Sequence, residues 1–288
     1  MNLSGTIKLL AELNKVRITI AVTLTTMAGY GLANSGLDSG MLLPVTGIFI
    51  LACGSAALNH YQDRDKDVLM ERTRQRPLPS GKISPGAVLV IAVTEIVLGT
   101  WIIYAGSNFV AAQLGLLALL WYNGIYTPLK RKTAFAVVPG SIIGAIPPMV
   151  GWVAGGGMLT DPRLVILAFF FFVWQVPHFW LLMLKYGKEY EKAGYPSITS
   201  TISPVQIKRA TFIWVAATAV SAIMVAGSGL INTAFFKILI VIAAAWLVFV
   251  FSGLLKNSKM RFNPFYYFMR INYFVFVMIF CMSIDPLL

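Results

Sequence analysis

Charge is what this chain has least of. Only 12% of its 288 residues are charged, 11 of them acidic, while 58% are hydrophobic. A soluble domain carries about twice that charged fraction, so a water-soluble globule of this length is excluded. Cysteine and histidine are nearly missing too, with two of each. Cys53 and Cys281 lie in apolar runs with no C-x-x-C spacing and no adjacent histidine. That excludes a thiolate metal centre and a disulfide framework, and leaves two small buried hydrophobes. No A-x-A-like site follows the first apolar run, and the leader MNLSGTIKLLAELNKVR is too short for a transit peptide, so no cleavable signal is expected. The scarcity of acids sets the net charge at +12. Membrane proteins collect such an excess in the loops that stay inside the cell, and nucleic-acid binding is not needed to explain it.

What the chain does have is long apolar runs. Nine are long enough to cross a hydrocarbon core of about 30 Å as helices. They fall near 16–34, 42–60, 85–105, 108–126, 134–154, 163–184, 210–228, 233–254 and 265–284. The expected fold is an all-α polytopic membrane protein, one domain over residues 1–288, with short loops setting neighbouring helices antiparallel. The leader and the even-numbered loops hold Lys8, Lys15 and Arg17, then Arg64 to Lys82, Lys130 to Lys132, Lys185 to Arg209, and Lys256, Lys259 and Arg261. The odd-numbered loops hold almost no basic residues. This alternation predicts a cytoplasmic N-terminus and an outer C-terminus.

One stretch breaks the apolar pattern, GSAALNHYQDRDKDVLMERTRQRPLPSGKISP at 54–85. Asn59, Asp63 and Asp67 recur every fourth residue, which on a helix puts one carboxamide and two carboxylates on one face. Orientation in a membrane requires no aspartates, and acidic groups at a membrane helix usually mark a site. The alternative is a solvated helix end with intrahelical salt bridges to Arg64 and Lys66. Carboxylate oxygens suit Mg²⁺, which takes one or two of them and completes its shell with water and phosphate oxygens. Arg72, Arg74, Arg76 and Lys82 would then meet the remaining phosphate charge. A diphosphate with a lipid-soluble tail, such as an isoprenyl diphosphate, fits both the charge and the setting.

NHYQDRDKD resembles the N-x-x-x-D-x-x-x-D signature of the UbiA superfamily of intramembrane prenyltransferases, and its continuation RDKDVLMERTRQRPLPSGKIS resembles more narrowly the branch that farnesylates protohaem. YTPLKRKTAFAVVPGSIIGAIPPMVGW at 126–152 and FVWQVPHFWLLMLKYGKEYEKAGYPSI at 172–198 are similar to two further blocks of that branch. The chain departs at Val16, where a proline is usual, at Ala136, where an asparagine is usual, at Glu189, where an aspartate is usual, and at Ser197 and Ile198.

The resemblance implies transfer of a farnesyl group from farnesyl diphosphate to the 2-vinyl group of haem b, with a hydroxyl added and Mg²⁺ as cofactor. It places the protein in a prokaryotic cytoplasmic (inner) membrane, surrounded by lipid, with the site facing the cytoplasm. A downstream haem-modifying enzyme would be the partner that takes the product. Asn59, Asp63, Asp67 and Glu189 would hold the metal, and Lys185 would complete the catalytic pocket. Arg72, Arg76, Tyr126, Lys130, Arg131, Trp174, His178 and Tyr190 would bind substrate. Aromatic residues of the 169–180 run, among them Phe179 and Trp180, would line a dry channel or serve only in packing. His178 is the residue expected to contact haem, whereas His60 is expected to be a hydrogen-bonded interface residue.

Glu95 should pair internally or stay protonated, and Arg270 should snorkel to the membrane edge. Gly140 and Gly144 form a small-xxx-small pair expected to let two helices approach. Two rival functions exist. An enzyme prenylating an aromatic acceptor would not need the WQVPHFW block, and a secondary transporter would place its charges at the bilayer midplane instead of at one face.

Overall fold

The computed structural model describes residues 3–256 and 263–288. Lys259 and Arg261, counted above among the basic loop residues, lie outside the described residues. Nine helices among those described are long and apolar enough to span a membrane, and none of the described residues forms a strand. A short helix α1 (Leu3–Leu13) comes first and is followed by α2 (Val16–Asn34), α3 (Leu42–Asp67), α4 (Pro85–Gly106) and α5 (Phe109–Leu129). Then come α6 (Ala134–Ala154), α7 (Pro162–Lys192), α8 (Pro204–Gly227), α9 (Ala234–Ser252) and α10 (Pro264–Ile284).

Most helix starts are written locally. Ser84, Asp161, Ser203 and Asn263 each cap an N-terminus with a side-chain oxygen, and each is followed by a proline, whose missing N–H costs nothing at a helix start. Helix α8 therefore begins at Pro204, where Ser203 and Gln206 form a capping box, and not at residue 210 where the apolar run begins. The ends differ more. Helix α3 continues to Asp67 and α7 to Lys192, beyond the apolar runs that close near 60 and 184. A helix needs its backbone ladder and not lipid, so both project polar turns past the apolar layer. Helix α1 was not expected, being too short and too charged to register as a span.

Close packing follows the glycines. A Cβ on Gly151 of α6 would collide with the Thr26 carbonyl of α2, and one on Gly29 of α2 with the Pro148 carbonyl of α6. On the other side, Gly47 and Gly54 of α3 meet Gly99 and Ala92 of α4 in antiparallel register. These are the backbone approaches in the bundle. Gly140 and Gly144 work differently from expectation, because they make room for side chains, the Tyr126 ring and Gln175 respectively. The main core runs along the bundle through Phe170, Phe171, Phe274 and Leu247. Cys281 is buried within it, Cys53 is buried beside the Thr19 hydroxyl of α2, and neither forms a disulfide.

Candidate diphosphate and acceptor site

Segments far apart in the chain converge where α3 leaves the apolar layer. Asn59, Asp63 and Asp67 are 3%, 5% and 1% exposed, so this face is a buried polar face, not a solvated helix end. Its partners are also not the intrahelical ones. Arg64 turns away to the Tyr61 carbonyl and ring, and Lys66 donates to the Ala193 carbonyl at 2.9 Å. The carboxylates pair across the fold. Asp67 binds Arg76 at 2.8 Å, and Asp63 binds Lys130, with Arg131 at 3.6 Å and the Tyr195 hydroxyl donating at 3.3 Å.

Asn59 is oriented by its surroundings. Its amide N–H groups donate to Asp63 at 3.0 Å and to the Thr127 hydroxyl at 3.1 Å, so its oxygen faces Lys15, which donates to it at 2.7 Å. Thr127 is held in turn by donating to the Tyr122 carbonyl across a π-helical turn, Leu120–Tyr126, inside α5. The same turn locks onto α3 through Asn123, which exchanges hydrogen bonds with Ser55 and Gln62. An irregular helix is therefore tolerated here because buried side chains satisfy the backbone groups it frees.

The loop after α3 is folded back by Thr73, whose hydroxyl donates to the Asp67 carbonyl at 2.8 Å and which is fully buried. That fold sets Arg76 on Asp67. Arg72 is nearby but exposed, its guanidinium 4.7 Å from the Tyr186 ring centre and its backbone N–H donating to Glu189 at 3.3 Å. Arg74 and Lys82 stay exposed on the same loop. Lys185 lies 3.5 Å over the Phe265 ring, and Tyr190 packs on Tyr195 at 5.3 Å.

The structure thus brings Asn59, Asp63, Asp67, Arg76, Lys130 and Arg131 into one cluster, and sets Arg72, Lys185 and Glu189 at its margin. Lys15, Thr127 and Tyr195 belong to the cluster and carried no sequence signal strong enough to single them out. Burial, then the nearby Arg76 and Lys130 charges, lowers the Lys15 ammonium to about 7. Burial and the Asp63 charge push the Tyr195 phenol up. The Lys15 shift marks a buried place crowded with cations, whose mutual repulsion an incoming anion would relieve.

An oxygen donor set of two carboxylates and one amide suits a hard ion such as Mg²⁺. No group of three acidic, histidine or cysteine residues converges to hold a metal among the described residues. Asn59, Asp63 and Asp67 would leave most positions of that ion to water and phosphate oxygens, which is its ordinary habit. Glu189, expected as a fourth ligand, accepts one hydrogen bond from the Arg72 backbone N–H at 3.3 Å.

An aromatic path leaves the cluster. Lys130 sits 5.8 Å from the Tyr126 ring, Tyr126 stacks on Phe179 at 5.9 Å, and Phe179 meets His178 edge-on at 5.6 Å. Trp174 and Phe268 flank His178, each at 4.9 Å. The other aromatics of α7 lie off this path, Phe171 meeting Trp174 edge-on at 6.5 Å from the core side. Phe170 and Phe171 are fully buried in the core, Phe169 is exposed, and Trp180 joins a separate apolar cluster. His60 differs from expectation, since it is 1% exposed and neither ring nitrogen has a hydrogen-bond partner among the described residues. Glu95 does pair internally, accepting from Asn14 at 2.6 Å, and Arg270 rests on the Tyr266 ring at 3.9 Å.

Comparison with known proteins bears on the family and the fold. The profile of the UbiA prenyltransferase family matches residues 22–274. The chain is 38% identical over 214 residues to a protoheme IX farnesyltransferase of Geobacter sulfurreducens, covering 74% of this chain and 79% of that one. Its fold is similar to that of a digeranylgeranylglyceryl phosphate synthase, with a TM-score of 0.79 and 16% identity over 98% of this chain and 99% of that one. It is also similar to a UbiA homologue from Archaeoglobus fulgidus bound to DMAPP and Mg²⁺, with a TM-score of 0.74 and 14% identity over 97% and 99% of the two chains.

Proposed function

Because the chain belongs to the UbiA prenyltransferase family, we propose that it transfers the farnesyl group of farnesyl diphosphate to a vinyl group of protohaem IX, giving haem O. The observation that carries the diphosphate half is the pairing at the end of α3. Each ligand of the buried face already holds a basic side chain from another segment: Lys15 on Asn59, Lys130 and Arg131 on Asp63, Arg76 on Asp67. Hard oxygen donors and their neutralising cations are stored in one place, ready to be shared between a divalent ion and a diphosphate. The relative bound to DMAPP and Mg²⁺ supports the same assignment.

Asn59, Asp63 and Asp67 would hold Mg²⁺, whose charge stabilises the departing diphosphate. Lys15 would then turn from the Asn59 amide oxygen, and Arg76, Lys130 and Arg131 from the carboxylates, to phosphate oxygens, with Arg72, Lys185, Glu189 and Tyr190 closing the margin. As the C–O bond to diphosphate breaks, the allylic cation is left against the Tyr126 and Phe179 rings, whose faces attract it while their bulk excludes water. The acceptor's vinyl π electrons form the new C–C bond, and only then does a water molecule add to the carbon left deficient and lose a proton, leaving the hydroxyl group there. Trp174 and His178 lie at the far end of that aromatic path, where the acceptor would sit, and His178 would face the haem iron. The basic face is the cytoplasmic one in this reading, which the loop charges support, and the enzyme works in the inner membrane of a prokaryote.

The deciding experiment gives membranes containing the protein haem, farnesyl diphosphate and Mg²⁺. A porphyrin heavier by one farnesyl and one hydroxyl group is expected. A prenylated aromatic acid formed from added 4-hydroxybenzoate, with haem unchanged, would overturn the acceptor assignment.

The two loop arginines should respond unequally to lysine. Arg76 lies on Asp67 within the cluster, while Arg72 rests on Tyr186 at its edge. Lysine preserves charge and therefore topology, but cannot copy a forked contact to phosphate. Arg76→Lys is expected to lower kcat/KM about tenfold to a hundredfold, the loss of one charge-assisted contact, and Arg72→Lys by less. Equal kinetics in both variants and the parent would make these arginines topological anchors.

A further inference from the structure

His178 has a partner that no motif announced. Its Nδ1 lies 3.0 Å from Oδ1 of Asn272 on α10, 94 residues away in the chain. The orientation of that amide is settled by its other end. Asn272 Nδ2 donates to the Phe268 carbonyl at 2.6 Å, and the flipped amide would set two oxygens against each other at that distance. Oδ1 therefore faces the imidazole, and it can only accept. The proton must be on Nδ1, and in the neutral ring the lone pair is on Nε2. Trp174 and Phe268 flank the ring at 4.9 Å each, so its plane is held as well as its tautomer. The Trp174 indole N–H, buried and without an acceptor among the described residues, adds a free donor beside it.

We infer that Asn272 is a positioning residue for the acceptor, holding His178 in the Nδ1–H form so that Nε2 is presented to the haem iron. This rests on the reading that haem is the acceptor and that His178 faces its iron. A second group on the distal nitrogen is what makes an imidazole a directed ligand, because it sets the tautomer, aims the ring and raises its basicity. A histidine serving only to tie α7 to α10 would need the hydrogen bond but no particular nitrogen left free.

The test uses the full chain in lipid nanodiscs, loaded with ferrous haem. Asn272→Ala removes the acceptor, so the iron–histidine stretching frequency in resonance Raman spectra should fall. Asn272→Leu removes it while filling the space, so that frequency should fall as far and haem affinity weaken tenfold to a hundredfold. Binding of a non-hydrolysable farnesyl diphosphate analogue should match the parent in both, showing that the fold is kept. If the leucine variant fails to insert, the smaller alanine variant decides alone. An unshifted frequency in the variants would overturn the positioning role. His178→Ala that binds haem with the parent's spectrum would instead remove the underlying reading, and the inference with it.

Discussion

Asp67→Asn is expected to cut farnesyl transfer about 10³-fold, or ~4 kcal/mol in transition-state stabilisation, and Asp63→Asn is expected to do the same. Asparagine has the shape of aspartate, so the loss isolates charge. Each substitution removes one of the two buried carboxylates that would hold the divalent ion, and no third acidic residue converges there to replace it among the described residues. It also releases a cation from its partner, Arg76 in the first case and Lys130 in the second. That costs folding stability as well, about 1–2 kcal/mol for Arg76, whose side chain is 21% exposed and so keeps some hydration. Steady-state assays over a range of Mg²⁺ concentrations, with thermal melts in detergent, separate the two effects. A variant that melts near the parent and turns over at more than a tenth of its rate would remove the metal face from the mechanism.

The second large effect concerns the other substrate. His178→Ala is expected to weaken haem binding at least tenfold and to lower farnesyl transfer to haem in proportion, while leaving affinity for a farnesyl diphosphate analogue within about twofold. The separation is geometric. His178 and Glu189 lie on one helix 11 residues apart, about 16 Å along its axis, with Phe179 and Tyr126 between His178 and the cation cluster. Truncating the imidazole leaves that cluster and its first aromatic wall in place. Optical titration with haem and calorimetry with the analogue measure the two affinities on one preparation. Loss of analogue affinity with haem affinity intact would assign the histidine to the donor side.

Much of the architecture is legible in one dimension because lipid imposes a one-dimensional rule. A span needs about twenty apolar residues wherever it packs, so α4 and α9 fall close to their apolar runs. The rule fails where lipid stops acting. Residues 61–67 of α3 and 185–192 of α7 continue as helix in polar surroundings, and these extensions carry Asp63, Asp67 and Glu189. The four-residue period marks the acidic face because i and i+4 stack on any helix.

What the sequence determined by itself is therefore the helical class, the number of spans and the acidic face, each the product of a period or a run within one segment. The company that face keeps was decided only by the tertiary structure. Lys15 reaches Asn59 across 44 residues, Thr127 across 68, and Tyr195 reaches Asp63 across 132. Asn272 reaches His178 across 94. Thr127 and Tyr195 lie inside the two quoted blocks, but no spacing ties any of these four residues to its partner, and lysine, threonine, tyrosine and asparagine are common in any chain. Their roles come from close helix packing at Gly29, Gly99 and Gly151, which brings distant segments together. A buried polar group must be satisfied by whatever lies within about 3 Å of it, and in a bundle that is a matter of contact in space and not of spacing along the chain.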